Sequence, residues 1–116
     1  MAFDEGLAER ARALVDERSD ITEKKMFGGL CLLSRGLMFA GIIGDVLMVR
    51  VGPDRYAEGL ARPFARPMDF TGKPMKGFLY IDPDGFSEDD DLAAWLEMCL
   101  SFVDTLPPRK PPKARP

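Results

Sequence analysis

Between Met26 and Val51 the chain reads MFGGLCLLSRGLMFAGIIGDVLMVRV, apolar throughout and broken only by turn residues. Three apolar runs, Leu30 to Leu33, Leu37 to Ile43 and Val46 to Val51, are separated by Arg35-Gly36 and Gly44-Asp45. Glycine takes φ > 0 without steric cost, so each break suits a hairpin. Gly44-Asp45 fits a two-residue turn with glycine first, and Ser34-Arg35-Gly36 a three-residue turn ending in a left-handed glycine. A helix here would have to absorb Gly28, Gly29, Gly36, Gly41 and Gly44 at about 1 kcal/mol each. The pattern therefore predicts a β-meander.

The flanking segments complete the layout. Asp4 to Arg18 places Leu7, Ala11, Leu14 and Val15 at i, i+4, i+7 and i+8, an amphipathic helix with Asp4 as its N-cap. Ile21 to Phe27 reads as an edge strand, and Gly28-Gly29 allows a bulge or a close backbone approach. After Val51, Gly52-Pro53-Asp54 starts a short helix over Arg55 to Ala61. Pro63 and Pro67 force extended chain, and Met68-Asp69-Phe70 alternates briefly. The loop Gly72-Lys73-Pro74-Met75-Lys76-Gly77 then leads to a strand over Phe78 to Ile81. Asp82-Pro83-Asp84-Gly85 is a turn, and Ser87 with Asp90 makes a capping box for a last helix. Glu88 to Asp91 put four acids at its positive end, and Leu92, Trp95, Leu96, Cys99, Leu100 and Val103 form its apolar stripe. The order is a helix, three or four strands, a short helix, two strands and a helix. It indicates an α+β two-layer fold with a mainly antiparallel sheet and helices on one face.

A length of 116 residues fits one domain, placed at 1–106, and 46% hydrophobic with 30% charged residues is ordinary for a globular protein. From Leu106 onward, LPPRKPPKARP has five prolines in eleven residues, so 107–116 is expected to be a disordered, proline-rich basic tail. Arg109, Lys110, Lys113 and Arg115 carry +4, which against a formal total of −3 leaves −7 on the body. Such a body is a poor platform for a phosphate backbone, and nucleic acid is expected at most weakly, through the tail. No apolar run is long enough to span a bilayer and MAFDEGLAER has no basic-then-apolar leader, so a cytoplasmic protein without membrane contact is expected.

Cys31 and Cys99 lack a CxxC partner and read as buried free thiols, and the absence of histidine removes the triads and metal sites that depend on it. Asp82 to Glu88 resembles a calcium loop but has its glycine at the fourth position rather than the sixth and no glutamate at the twelfth. GKPMKG lacks the P-loop spacing, and Pro74 removes an amide donor. No cofactor and no metal are expected. As a rigid loop it presents Lys73, Met75 and Lys76 to a partner, and Met26, Met68 and Met75 could form an adaptable binding surface. The enzymatic alternative is a small-ligand domain using Asp69, Tyr80 or Lys73 as acid or base.

TEKKMFGG after the first helix, then DVLMVRVGP, then ARPMDFTGKPMKGFLYIDPDGF before the last helix resemble the N-terminal domain of the TfoX (Sxy) family, in one order and register over about residues 5 to 106. The resemblance implies an α-β-β-β-α-β-β-α fold similar to that of secretion chaperones. Full-length members are positive regulators of natural competence genes and carry a second, helical domain, in whose place this chain has its basic tail. The signature positions that the resemblance carries over are Met26, Phe27, Gly28 and Gly29, and Gly72, Lys73, Pro74 and Met75. Together with the missing catalytic constellation, this implies a non-enzymatic regulatory module that binds a protein partner. A homodimer through the strand edge before Gly28-Gly29 is also expected.

Overall fold

The computed structural model describes residues 3–16, 18–26, 28–69 and 74–107, with the side chains of residues 26, 69 and 74–76 outside that description. Helix α1 (Glu5–Leu14) starts at Asp4, whose carboxylate accepts from the Gly6 and Leu7 amides at 2.9 and 3.3 Å. Strands β1 (Ile21–Met26), β2 (Gly29–Ser34), β3 (Leu37–Ile43) and β4 (Val46–Arg50) follow as a continuous meander. A 3-10 turn at Pro53–Arg55 leads to α2 (Tyr56–Leu60), then β5 (Ala65–Asp69) and β6 (Pro74–Ile81). A second 3-10 turn, Pro83–Phe86, precedes α3 (Asp89–Val103).

The strands form one sheet in the order β1-β2-β3-β4-β6-β5, with every neighbouring pair antiparallel. The meander has four strands, one more than the resemblance order counts, because Ile21–Met26 pairs with Gly29–Ser34 along its whole length. One face of the sheet carries Leu30, Leu32, Ala40, Ile42, Leu47, Val49, Leu79 and Ile81, all in the apolar core. On it lies α3 with the predicted stripe fully buried, Leu92, Trp95, Leu96, Cys99, Leu100 and Val103. Helix α2 packs on β5 and β6, and α1 packs against α3. The fold is α+β in two layers with the helices on one face.

Several local expectations change. Ser34 pairs with Leu37, so Arg35-Gly36 is a two-residue turn with φ of 53° and 81° rather than a three-residue one. Two successive left-handed residues match the right-handed twist of the flanking strands. At Gly29 a β-carbon would collide with the Ile42 carbonyl oxygen, so this glycine serves a close approach. The bulge lies elsewhere, in β3, where Leu32 faces Ala40 but Leu33 faces Met38, leaving Phe39 as the extra residue, fully buried in the core. Strand β6 begins at Pro74 and takes in four residues read as loop, because β5 supplies a ladder partner as far as the Asp69–Pro74 pair. Strand β5 spans Ala65–Asp69 instead of starting at Met68, and Pro67 is tolerated because β5 is an edge.

Ser87 does not cap α3. The N-cap is Glu88, without a side-chain bond, and Asp89, Asp90 and Asp91 occupy the first turn. The Phe86 and Ser87 carbonyls accept instead from Arg10 of α1, at 2.7 and 3.4 Å. Leu14 leaves the α1 stripe: it is 40% exposed, while Ala8 is buried beside Leu7 and Ala11. Small Ala8 and Ala11 face the core, and Leu14 stands over the groove toward Leu100 and Ser101 of α3. The readings for Phe27, Phe70, Gly72, Lys73 and residues 108–116 lie outside the described residues.

Candidate functional site

Strand alternation that buries Leu30 and Leu32 against the helices turns Cys31 and Leu33 to the other side of the sheet. The same alternation brings Met38, Gly41, Ile43, Val46, Met48, Phe78 and Tyr80 onto that second face. Cys31 and Met48 are buried yet stand outside the core cluster, as this placement requires. They cover one another: a β-carbon at Gly41 would lie 2.8 Å from the Met48 methyl and 3.7 Å from the Cys31 sulfur. Around this centre Leu33, Met38, Ile43, Val46, Phe78 and Tyr80 are half-buried. The result is a shallow apolar surface with two methionines near its middle, a composition that adapts to different partners.

The charges on this face are cationic. Thr22 and Lys24 flank Leu33 and Cys31 from β1. Arg66 of β5 lies 5.0 Å above the Tyr80 ring and forks onto the Asp82 carboxylate at 3.0 and 3.2 Å. Arg50 curls to the end of the sheet, donating to the Met38 carbonyl at 3.2 Å and lying 5.7 and 5.4 Å over the rings of Phe78 and Phe102. Acids concentrate on the helix side, where Glu23 of β1 is held by Arg12 of α1 and its pKa is lowered by that hydrogen bond.

A polar network ties the helix layer to the strand ends. Ser34 is fully buried and donates to Asp20 at 3.0 Å, while Arg18 bonds Asp20 at 3.0 Å, Ser34 at 3.3 Å and Asp104 at 2.9 Å. Arg18 drives the Asp20 pKa down to about 2, with help from Ser34. Arg35 caps the end of α3 by donating to the Val103 carbonyl. Every group here has a protein partner, so the network is a fastening between elements.

The sequence-derived site residues do not converge. Met26, Gly28 and Gly29 lie at the β1–β2 hairpin, where Gly28 has φ +74°. Asp69, Pro74, Met75 and Lys76 lie where β5 meets β6. Following the antiparallel order across the sheet, these two hairpins sit at opposite ends of it and four strands apart. Asp69 pairs with Pro74 while Tyr80 pairs with Arg66 and Met48. Along β5, Asp69 lies three residues, about 10 Å, from Arg66, the residue directly opposite Tyr80, and the register shift between Pro67 and Asp69 takes up the remaining residues of β6. Phe27, Gly72 and Lys73 lie outside the described residues.

Both cysteines are free and buried. Burial pushes the Cys99 thiol up to about 12 and raises that of Cys31, so neither is a poised nucleophile. Among the described residues no three of His, Cys, Asp and Glu stand together as a metal group would need. Their helices include none long and apolar enough to cross a membrane.

A family comparison matches residues 13–103 to the TfoX N-terminal domain. The chain belongs to the TfoX N-terminal domain family. The match runs from the last two residues of α1 to the last residue of α3 and so includes the entire sheet. A comparison with curated proteins gives no match. Gly28 and Gly29 serve a turn and a strand contact. The sheet's second face is built from other residues of the matched segment. Sequence reasoning missed this face because its members alternate with core residues inside uninterrupted apolar runs.

Proposed function

We propose that this chain is a non-catalytic, cytoplasmic regulatory module that binds a protein partner on the second face of its sheet. One observation carries the reading: six antiparallel strands have helices on one side only, and the other side is apolar, methionine-bearing and rimmed by Lys24 and Arg66. Sheet faces of this kind are normally covered, by a second sheet, by helices or by a partner. Family membership supports a regulatory role, and the competence genes controlled by full-length relatives are the natural setting in which to look.

In the absence of that partner, two copies are proposed to pair through the same face. Self-pairing along β1 fits less well. A two-fold axis at its centre would place Glu23, Lys24 or Lys25 directly opposite its own copy, and like charges so opposed are destabilising.

The test is a photo-crosslinking amino acid placed at Leu33 or Ile43, with Glu9 on α1 as control, in cells of the native host. A discrete protein adduct from the sheet positions and none from Glu9 is the expected result. Equal labelling from both sides, or a metabolite turned over by the pure protein and lost on Asp69→Asn with the fold intact, would overturn the reading.

A further inference from the structure

The ladder registers place one residue of every strand in a single row across the second face: Lys24, Cys31, Gly41, Met48, Tyr80 and Arg66, each directly opposite the next. Five inter-strand steps of about 4.8 Å put the two cations about 24 Å apart, one on each edge strand. The middle of the row is low. Cys31 is short, Gly41 has no side chain, and the Met48 methyl lies over it, 2.8 Å from where its β-carbon would be. The pair Leu33 and Met38 rises on one side of this row, the pair Ile43 and Val46 on the other.

The apolar ground therefore spans β2, β3, β4 and β6, about 14 Å across, and stops short of both edges. One helix, about 10–12 Å in diameter, covers that width and leaves the cations at its flanks. A second sheet, whether a partner's or another copy's, would lie over them, which makes self-pairing the weaker use of the face. The covered side of the sheet shows the helical arrangement, since α3 lies there over β3 and β4. Strand β3 has seven residues, about 23 Å, a length that about 15 residues of helix match.

Charge decides the chemistry of that helix. Laid along β3 and β4, its axis passes about 12 Å from Lys24 and from Arg66, a gap closed by the half-width of a helix and a long side-chain stem. No residue of β1 to β4 on this face is an acid. Lys24 is exposed and makes no ion pair among the described residues. Arg66 gives Nε and Nη2 to Asp82 and keeps Nη1 for a second acceptor. Single-stranded nucleic acid fits less well, because Arg50 already lies over Phe78 and Arg66 over Tyr80, the rings on which bases would stack.

We propose that the second face docks one amphipathic α-helix of a protein partner, its apolar stripe flanked on both sides by glutamate or aspartate, so that the sheet becomes the middle layer of a helix–sheet–helix sandwich. The inference rests on the protein-binding reading above and names the chemistry of the partner.

The test is a titration of the full-length protein with a synthetic peptide of about 20 residues, with leucine at i, i+3, i+4 and i+7 spacing and glutamate on both flanks. The control peptide has lysine at the flank positions. Fluorescence anisotropy reads the affinity and methyl NMR reads the face. The glutamate peptide should bind about tenfold or more tightly than the lysine peptide, with the preference fading as salt is raised. Methyl shifts should be largest at Leu33, Ile43 and Val46 and small at Leu30, Leu32 and Val49 in the core. Lys24→Glu should weaken the glutamate peptide about tenfold and tighten the lysine peptide; should that variant fail to fold, the two peptides on the unaltered chain decide alone. Equal affinities, a preference for the lysine peptide, shifts centred on the helix layer, or displacement of the peptide by a single-stranded oligonucleotide would overturn the proposal. Crosslinked protein from Leu33 and Ile43 together with any of these results would leave the protein-binding reading standing and remove the acidic helix, whereas an absence of crosslinks would remove both.

Discussion

Replacing Trp95 with alanine removes the largest side chain of α3 from the middle of the core, where it is 2% exposed. A tryptophan buries up to about 250 Å² on folding, worth about 6 kcal/mol at 25 cal/mol per Å². Alanine keeps the first carbon, and partial collapse of the site recovers more, so the expected loss is about 3–5 kcal/mol. Collapse is limited on both sides. Gly59 of α2 has no side chain to swing inward, since its would-be β-carbon lies 3.7 Å from the Trp95 ring, and Arg62 above the ring loses its stacking surface. A domain of this size has about 5–15 kcal/mol in total, so the variant should sit near the edge of stability. Because Trp95 is the chain's one tryptophan, urea unfolding must be followed by far-UV circular dichroism, with Trp95→Phe as the conservative step at roughly half the loss. A loss below about 1 kcal/mol for the alanine variant would show that Trp95 does not anchor α3 in the core.

Acid should loosen the fastening at Ser34. Asp20 titrates at about 2 against an ordinary 3.8, so its contribution is present above pH about 4 and disappears as pH falls toward 2; the unfolding midpoint should drop across that window by more in the native chain than in Asp20→Asn. Neither cysteine should react with a thiol reagent at pH 8 in the folded protein, whereas both should react in urea, because burial holds both thiols protonated; rapid native labelling would refute that burial. At high micromolar concentration the chain should elute near twice its 12.9 kDa mass, with Ile43→Glu shifting it to monomer and Lys24→Gln leaving it unchanged, and the reverse pattern would favour the β1 edge. Truncation after Pro107 is expected to leave the midpoint nearly unchanged, because four cations and prolines offer nothing apolar to bury.

The helices and turns were legible because each has a local signature. The stripe from Leu92 to Val103 has helical spacing, and the glycines at 36 and 44 mark hairpins by their backbone freedom alone. The bulge at Phe39 was not legible, since a run with apolar residues on both faces has no alternation in which a one-residue slip would show. Pro74 to Gly77 read as loop from composition, and only the distant β5 segment makes it a strand. Ser34 looked like a turn residue, although its hydroxyl sits in a buried network with Arg18 and Asp20. A cavity beside Phe64 draws on α2's exit, the Asp84 turn and α3, segments spread over about thirty residues of the chain, and no local pattern announces that they meet.

What connects these observations is the separation of charge between the two layers. The body is strongly acidic, yet no residue of β1 to β4 that alternates onto the second face is an aspartate or glutamate. The acids gather on α1, on α3 and at their caps, from Asp4 and Glu9 to Asp89, Asp90, Asp91, Glu97 and Asp104. Arg66 is held by Asp82, which leaves Lys24 the freer cation beside the apolar centre. A partner approaching in solution therefore meets a molecule whose field has a direction. An acidic amphipathic segment is repelled from the helices and guided to the sheet. Orientation by charge and retention by apolar contact are then supplied by different residues. Lys24→Gln should accordingly slow association and flatten its salt dependence with little effect on dissociation, whereas Ile43→Ala should speed dissociation and leave the association rate alone. Stopped-flow measurement on the crosslinked partner would separate the two, and equal effects of both variants on both rates would show that charge and contact are not divided in this way.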